Sequence, residues 1–113
     1  MEPSGLLRAL IDISESTTVS TVIDLEGKLL VGIVFPAAFE GTTLTFQVSH
    51  DNVTYQALYD DGGTAVSVTT AASRSVGMTA AKAEALAPWR YVKLVAGTAQ
   101  TVTDRELFVV TKG

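Results

Sequence analysis

Apolar residues along this chain come in short runs separated by Gly, Asp, Ser and Pro, and one run alternates strictly. From Thr43 to Ser49, Leu44, Phe46 and Val48 fall on one parity, and Thr45, Gln47 and Ser49 on the other. Period-two alternation is the pattern of a half-buried strand. Lys28 to Phe35 is apolar on both parities, so it is expected to be a central strand buried on both faces. Pro36 ends it, because proline cannot donate to a ladder. Further strands are expected over Leu7–Ser14, Val19–Leu25, Val53–Tyr59, Thr64–Thr70, Trp89–Ala96 and Glu106–Thr111, bounded by turn residues. Glu26-Gly27, Glu40-Gly41, His50-Asp51-Asn52 and Asp60-Asp61-Gly62-Gly63 supply the turns, the last as a hairpin connection tolerant of positive φ. Ala71–Val76 reads as neither strand nor helix, and Gly97–Asp104 reads as a polar loop.

One stretch breaks the β pattern. Thr79–Ala87 contains Ala80, Ala81, Lys82, Ala83, Glu84, Ala85 and Leu86, which are mostly strong helix formers. Thr79 is placed to cap it and Pro88 to stop it. About eight short strands and one short helix near 79–87 predict an all-β fold, a two-sheet antiparallel sandwich of jelly-roll-like form. An up-and-down barrel is the alternative, and the inserted helix and unequal strand lengths favour the sandwich. Residues 19–113 form the expected sandwich domain. Residues 1–18 are either an N-terminal arm or its first strand with a frayed end.

Composition supports this reading. Thr and Val number fifteen and fourteen, and both are β-branched residues that suit a pleated surface. At 113 residues and 47% hydrophobic, the chain can build one core without staples. The absence of cysteine excludes disulfides, thiolate metal sites and cysteine nucleophiles. Net charge is −4, and no two of the basic residues are adjacent. A nucleic-acid partner is therefore not expected, since phosphate binding draws on clustered cations. No run approaches the roughly 20 apolar residues that span a bilayer. The N-terminus lacks the basic and apolar regions of a signal peptide. No membrane association is expected, and synthesis is expected in the cytoplasm.

Few residues offer chemistry. The single histidine, His50, stands beside Asp51, a pairing that would orient an imidazole as a general base. Ser49 is adjacent, but neighbours in sequence do not make a triad, and a solvated turn histidine is the ordinary case. Asp51, Asp60 and Asp61 would suit Ca²⁺ if brought together, yet Asp-Asp-Gly-Gly is also ordinary hairpin chemistry. No phosphate-binding glycine motif is present. No catalytic residue, cofactor or metal is expected. Tyr55 and Tyr59 share one parity of their strand, and Trp89 and Tyr91 share one parity of theirs. Facing solvent together, they would form a sugar-stacking platform. Facing inward, they would pack at the core rim with their polar edges outward.

Several segments carry a family resemblance: Val22-Ile23-Asp24-Leu25, Leu30 to Phe39, Leu44 to Ser49, Thr54-Tyr55, Leu58-Tyr59-Asp60, Gly63-Thr64 and Trp89 to Leu94. Together they resemble small β-sandwich structural proteins of tailed bacteriophages, of the capsid decoration or cement type. The resemblance runs from about Val19 to Val110. It implies a non-enzymatic virion protein, most naturally a head decoration protein bound to the major capsid protein or another virion protein, and capable of homo-oligomerisation. A tail or baseplate accessory domain and a carbohydrate-binding module are the alternatives. Leu6, Leu7, Leu10 and Ile11 form an apolar patch in the first segment and are the expected partner contacts.

Overall fold

A computed structural model describes residues 4–112. Nine strands form two antiparallel sheets. The first sheet contains β1 (Ser4–Ile11), β3 (Leu29–Val34), β7 (Ser75–Gly77) and β9 (Arg105–Lys112), in the order β1-β9-β3-β7. The second contains β2 (Ile23–Asp24), β4 (Thr43–Ser49), β5 (Gln56–Ala57), β6 (Ser67–Thr69) and β8 (Tyr91–Ala96), in the order β2-β8-β4-β5, with β6 also on β4. β5 and β6 pair with successive stretches of one edge of β4, opposite Gln47–Val48 and Thr43–Thr45. They are one strand position interrupted by a hairpin, closed by the Tyr59–Ala65 bridge. Counted so, the fold has eight positions in two sheets of four. The chain changes sheet at every step except from β4 to β5–β6, which is the jelly-roll path.

The two inner faces make the core. On β8, Val92, Leu94 and Ala96 are buried; on β4, Leu44, Phe46 and Val48; on β9, Leu107 and Val109. Phe35 and Phe39 meet within the core, with ring centroids 4.8 Å apart and planes tilted, an arrangement favoured by the aromatic quadrupole. Helix α1 (Ala80–Leu86) lies between β7 and β8 in the chain and packs on β3. It buries Ala83 and Leu86. The Thr79 hydroxyl accepts from the Lys82 N–H at 3.4 Å, as the sequence predicts.

β4 has the predicted limits; β2, β6 and β8 are shorter than the expected Val19–Leu25, Thr64–Thr70 and Trp89–Ala96, and four further differences have identifiable causes. β1 runs from Ser4 rather than Leu7 and ends at Ile11, because Asp12 folds the next residues into a turn. Its carbonyl accepts from the Glu15 and Ser16 N–H groups, and its carboxylate accepts from the Ser14 N–H and hydroxyl. The first segment of the predicted arm is thus the first strand, paired along its length with β9; its first three residues lie outside the described residues. β3 is central, between β9 and β7, but it is not buried on both faces. A register shift between Leu30 and Gly32 reverses its parity. Leu30 and Ile33 therefore both face the core, while Leu29 is exposed and Val34 half-buried. A bulge, not two-sided burial, accounts for apolar residues on both parities. The ambiguous segment yields β7, a three-residue edge strand beginning at Ser75. The predicted strand over Val53–Tyr59 shortens to Gln56–Ala57, because Val53 and Thr54 donate their N–H groups to Asp51 instead.

The polar loop after β8 is anchored rather than free. Gln100 is buried; its side-chain amide donates to the carbonyls of Glu40 and Thr98, and its Oε1 accepts from the Glu40 N–H. Arg105, with its side chain 5% exposed, meets Glu40 at 3.2 Å and donates to the carbonyls of Thr101 and Thr103. Opposite this loop, Gly41 has φ +106° and would place a Cβ 2.7 Å from the Thr98 side chain. Both facts require glycine there.

Candidate functional site

The residues expected at a partner contact divide by strand parity. Ile11 is fully buried in the core and Leu7 packs against it half-buried. Leu6, 62% exposed, and Leu10, half-buried, lie on the outer face of the first sheet with Arg8. Across from them on β9, Val110 pairs with Leu6 and Phe108 with Arg8; both are half-buried. Val34 of β3 stands next to Phe108. This outer face is apolar at Leu6, Val110, Phe108 and Val34, and the Arg8–Glu106 ion pair at 3.1 Å crosses it between Leu6 and Leu10.

Leu10 also begins an open groove of about 540 Å³ between the end of β1 and the stretch leading into β2. Val19, Val22, Asp12, Glu15 and Lys93 line it with Leu10. The Leu10 N–H donates to the Thr21 hydroxyl and its carbonyl accepts from the Thr21 N–H. These bonds fix one wall of the groove to the other. The two apolar surfaces meet at Leu10 and form the candidate docking site.

The carboxylates singled out in sequence are turn formers. Asp51 accepts from the N–H groups of Val53 and Thr54 and from the Ser49 hydroxyl. Those bonds, Thr54 first, lower its pKa from 3.8 to about 2, with a smaller contribution from nearby His50. Asn52 completes the turn at φ 60°, a conformation asparagine tolerates. His50 is highly exposed and lies 4.0 Å from Asp51. The Ser49 hydroxyl is committed to Asp51, so the three residues make a turn and not a nucleophile–base pair. Asp60 accepts from the N–H groups of Gly62 and Thr64 and shapes the hairpin tip. Among the described residues no group of three or more acidic or histidine side chains is gathered to hold a metal ion. No described helix is long and apolar enough to cross a membrane.

The aromatics are regrouped relative to their strand parities. Tyr55 lies over Lys93, 4.3 Å from ammonium to ring centroid, and Tyr91 lies under Arg90 at 5.2 Å. Arg90 forks onto Asp24 with bonds of 2.9 and 3.0 Å, which raises the guanidinium pKa and lowers that of Asp24. Tyr55 donates its hydroxyl to Asn52, and burial, followed by nearby negative charge, raises its pKa. Each cation–π contact occupies one face of its ring, so this cluster is a packed polar surface. Tyr59 and Trp89 instead line a second groove, with Asp60, Asp61 and Glu84. Strand parity does not show this pairing, because Tyr59 stands at the base of the 59–65 hairpin, bridged to Ala65, and Trp89 follows α1, so the two meet only in the folded chain.

The chain matches no protein-family model and no curated protein sequence. Among solved structures it is similar to the SPBc2 prophage-derived protein YomS, with a TM-score of 0.57 and 9% identity, covering 100% of this chain and 96% of that one. At that identity the likeness establishes a shared fold. The C-terminal domain of a chitobiase from Bacteroides fragilis matches at a TM-score of 0.36 and 13% identity, over 84% of this chain and 62% of that one.

Proposed function

We propose that this chain is a non-catalytic structural protein of a tailed-bacteriophage virion, and that it decorates the head by docking its β1 outer face and the adjoining groove on the major capsid protein. The observation that carries the reading is the end-to-end fold correspondence with a prophage-derived protein, which leaves almost nothing of either chain unmatched. The head, rather than the tail, follows the resemblance of residues 19–110 to decoration proteins. The docking surface supplies what a shell component needs: apolar area at Leu6, Leu10, Val22 and Phe108, interspersed with the Arg8–Glu106 ion pair. Repetition of weak contacts over many equivalent shell sites raises their combined strength.

Virions made with and without the gene, compared by electron microscopy and by heat challenge, test the proposal. Wild-type heads are expected to carry a surface density that the deletion removes, with loss of particle robustness. Leu6→Glu, at an exposed position, is expected to leave the protein folded but absent from particles. Deleted particles that keep every feature and their heat resistance would overturn the reading. Labelling confined to tails would replace the head assignment with a tail accessory role.

A further inference from the structure

Two elements of this fold are additions to a bare jelly roll: the 59–65 hairpin that interrupts the β5–β6 position, and helix α1. They face each other across two hollows of about 520 and 370 Å³. The hollows share Asp60, Ala81 and Ala85, so they form one trough with the hairpin on one side and the helix on the other. Its combined size falls in the range of small-ligand sites.

The lining has a direction. At one end stand Tyr59, 58% exposed, and Trp89, half-buried against the core. Beside them are the carboxylates of Asp60, Asp61 and Glu84. Among the described residues, neither Asp61 nor Glu84 takes a side-chain hydrogen bond. Toward the other end the lining turns to the hydroxyls of Thr64, Ser67 and Thr79, with Lys82. The alanines at the helix side keep the trough open.

We propose that this trough binds an oligosaccharide of neutral or amino sugars. A pyranose ring offers an apolar C–H face with hydroxyls around its edge. Tyr59 and Trp89 supply aromatic faces for the first, and carboxylates and hydroxyls supply acceptors and donors for the second. Three carboxylates against one lysine disfavour acidic sugars. The trough shares no lining residue with the groove at Leu10, so it stands or falls separately from the virion reading.

An array of neutral, amino and acidic oligosaccharides, followed by calorimetry with chitohexaose, cellohexaose and a hyaluronan hexasaccharide, tests it on the full chain. Saturable binding of neutral or amino glycans, with acidic ones rejected, is expected. Tyr59→Ala is expected to weaken it about tenfold, the value of one aromatic stack, while Tyr59→Phe retains it. Ala81→Trp fills the trough without removing any lining group and is expected to abolish binding. Ala81 is exposed, and circular dichroism checks that each variant is folded. The proposal is overturned by no glycan binding, by preference for acidic glycans, by affinity unchanged in both Tyr59→Ala and Ala81→Trp, or by an extended peptide occupying the trough instead.

Discussion

The Asp51 carboxylate gathers the Val53 and Thr54 N–H groups and the Ser49 hydroxyl within 2.9 to 3.0 Å. A carboxylate so bonded is more acidic in the folded chain than in the unfolded one, at about 2 against 3.8. A depressed folded-state pKa contributes stability that is fully present above the unfolded value and is lost as pH falls through the folded one. Chemical denaturation from pH 7 to pH 2 is therefore expected to show stability declining below about pH 4, with Asp51→Asn both less stable at neutral pH and less steep in that window. Asp12, Asp24 and Glu40 are lowered as well, so the variant flattens the slope without removing it. An equal slope in wild type and Asp51→Asn would show that these bonds do not favour the charged form. The turn itself was legible in His50-Asp51-Asn52. The buried Gln100 and Arg105 are not, because the Glu40 group that both meet lies some sixty positions away and polarity alone reads as exposure.

At the scale of elements, legibility followed the strength of the local signal. β4 and α1 are legible, since strict alternation and an alanine-rich run between a cap and a proline are local properties. β7 is not legible, because a three-residue edge strand has too few positions to show a period. The bulge in β3 was hidden because a register shift is a property of the pair Leu30–Gly32 with β9, not of β3 alone. The trough depends on two insertions converging in space, and neither announces the other in sequence. Helix α1 shows which force holds such an insertion. Seven residues fall well short of the roughly 12–15 at which isolated helices become even marginal, so packing must supply its stability. Leu86 is fully buried, and Leu86→Ala is expected to cost about 2–5 kcal/mol. Thr79→Ala, which removes the cap, is expected to cost about 1 kcal/mol. Urea midpoints of the two variants check the ranking, and equal losses would show that the packing of Leu86 holds the helix no more firmly than its cap does.

For the whole molecule, the decisive pairing joins the two described ends. β1 and β9 run antiparallel from Ser4 opposite Lys112 to Ile11 opposite Arg105, so closing the first sheet requires the most distant parts of the described chain to meet. Sandwiches built from such non-local pairings belong to the slower-folding class. The pairing also tells an arm from a strand. An arm laid on a finished sandwich would be dispensable to it, whereas β1 carries Ala9 and Ile11, both fully buried, and covers one edge of β9. Gly5 fits this role closely: a Cβ there would fall 2.6 Å from the Thr111 hydroxyl, so β1 and β9 approach at a spacing that a larger residue would disturb. Removing residues 1–11 is therefore expected to leave a chain without dispersed amide signals or a cooperative thermal transition. Leu6→Glu, on the outer face of the same strand, is expected to shift stability by no more than about 0.5 kcal/mol. If the truncated chain kept a cooperative transition, β1 would be an appendage after all. If it unfolds while Leu6→Glu folds normally, the strand is divided between its two faces: the inner one holds the sandwich together, and the outer one is left available for a partner.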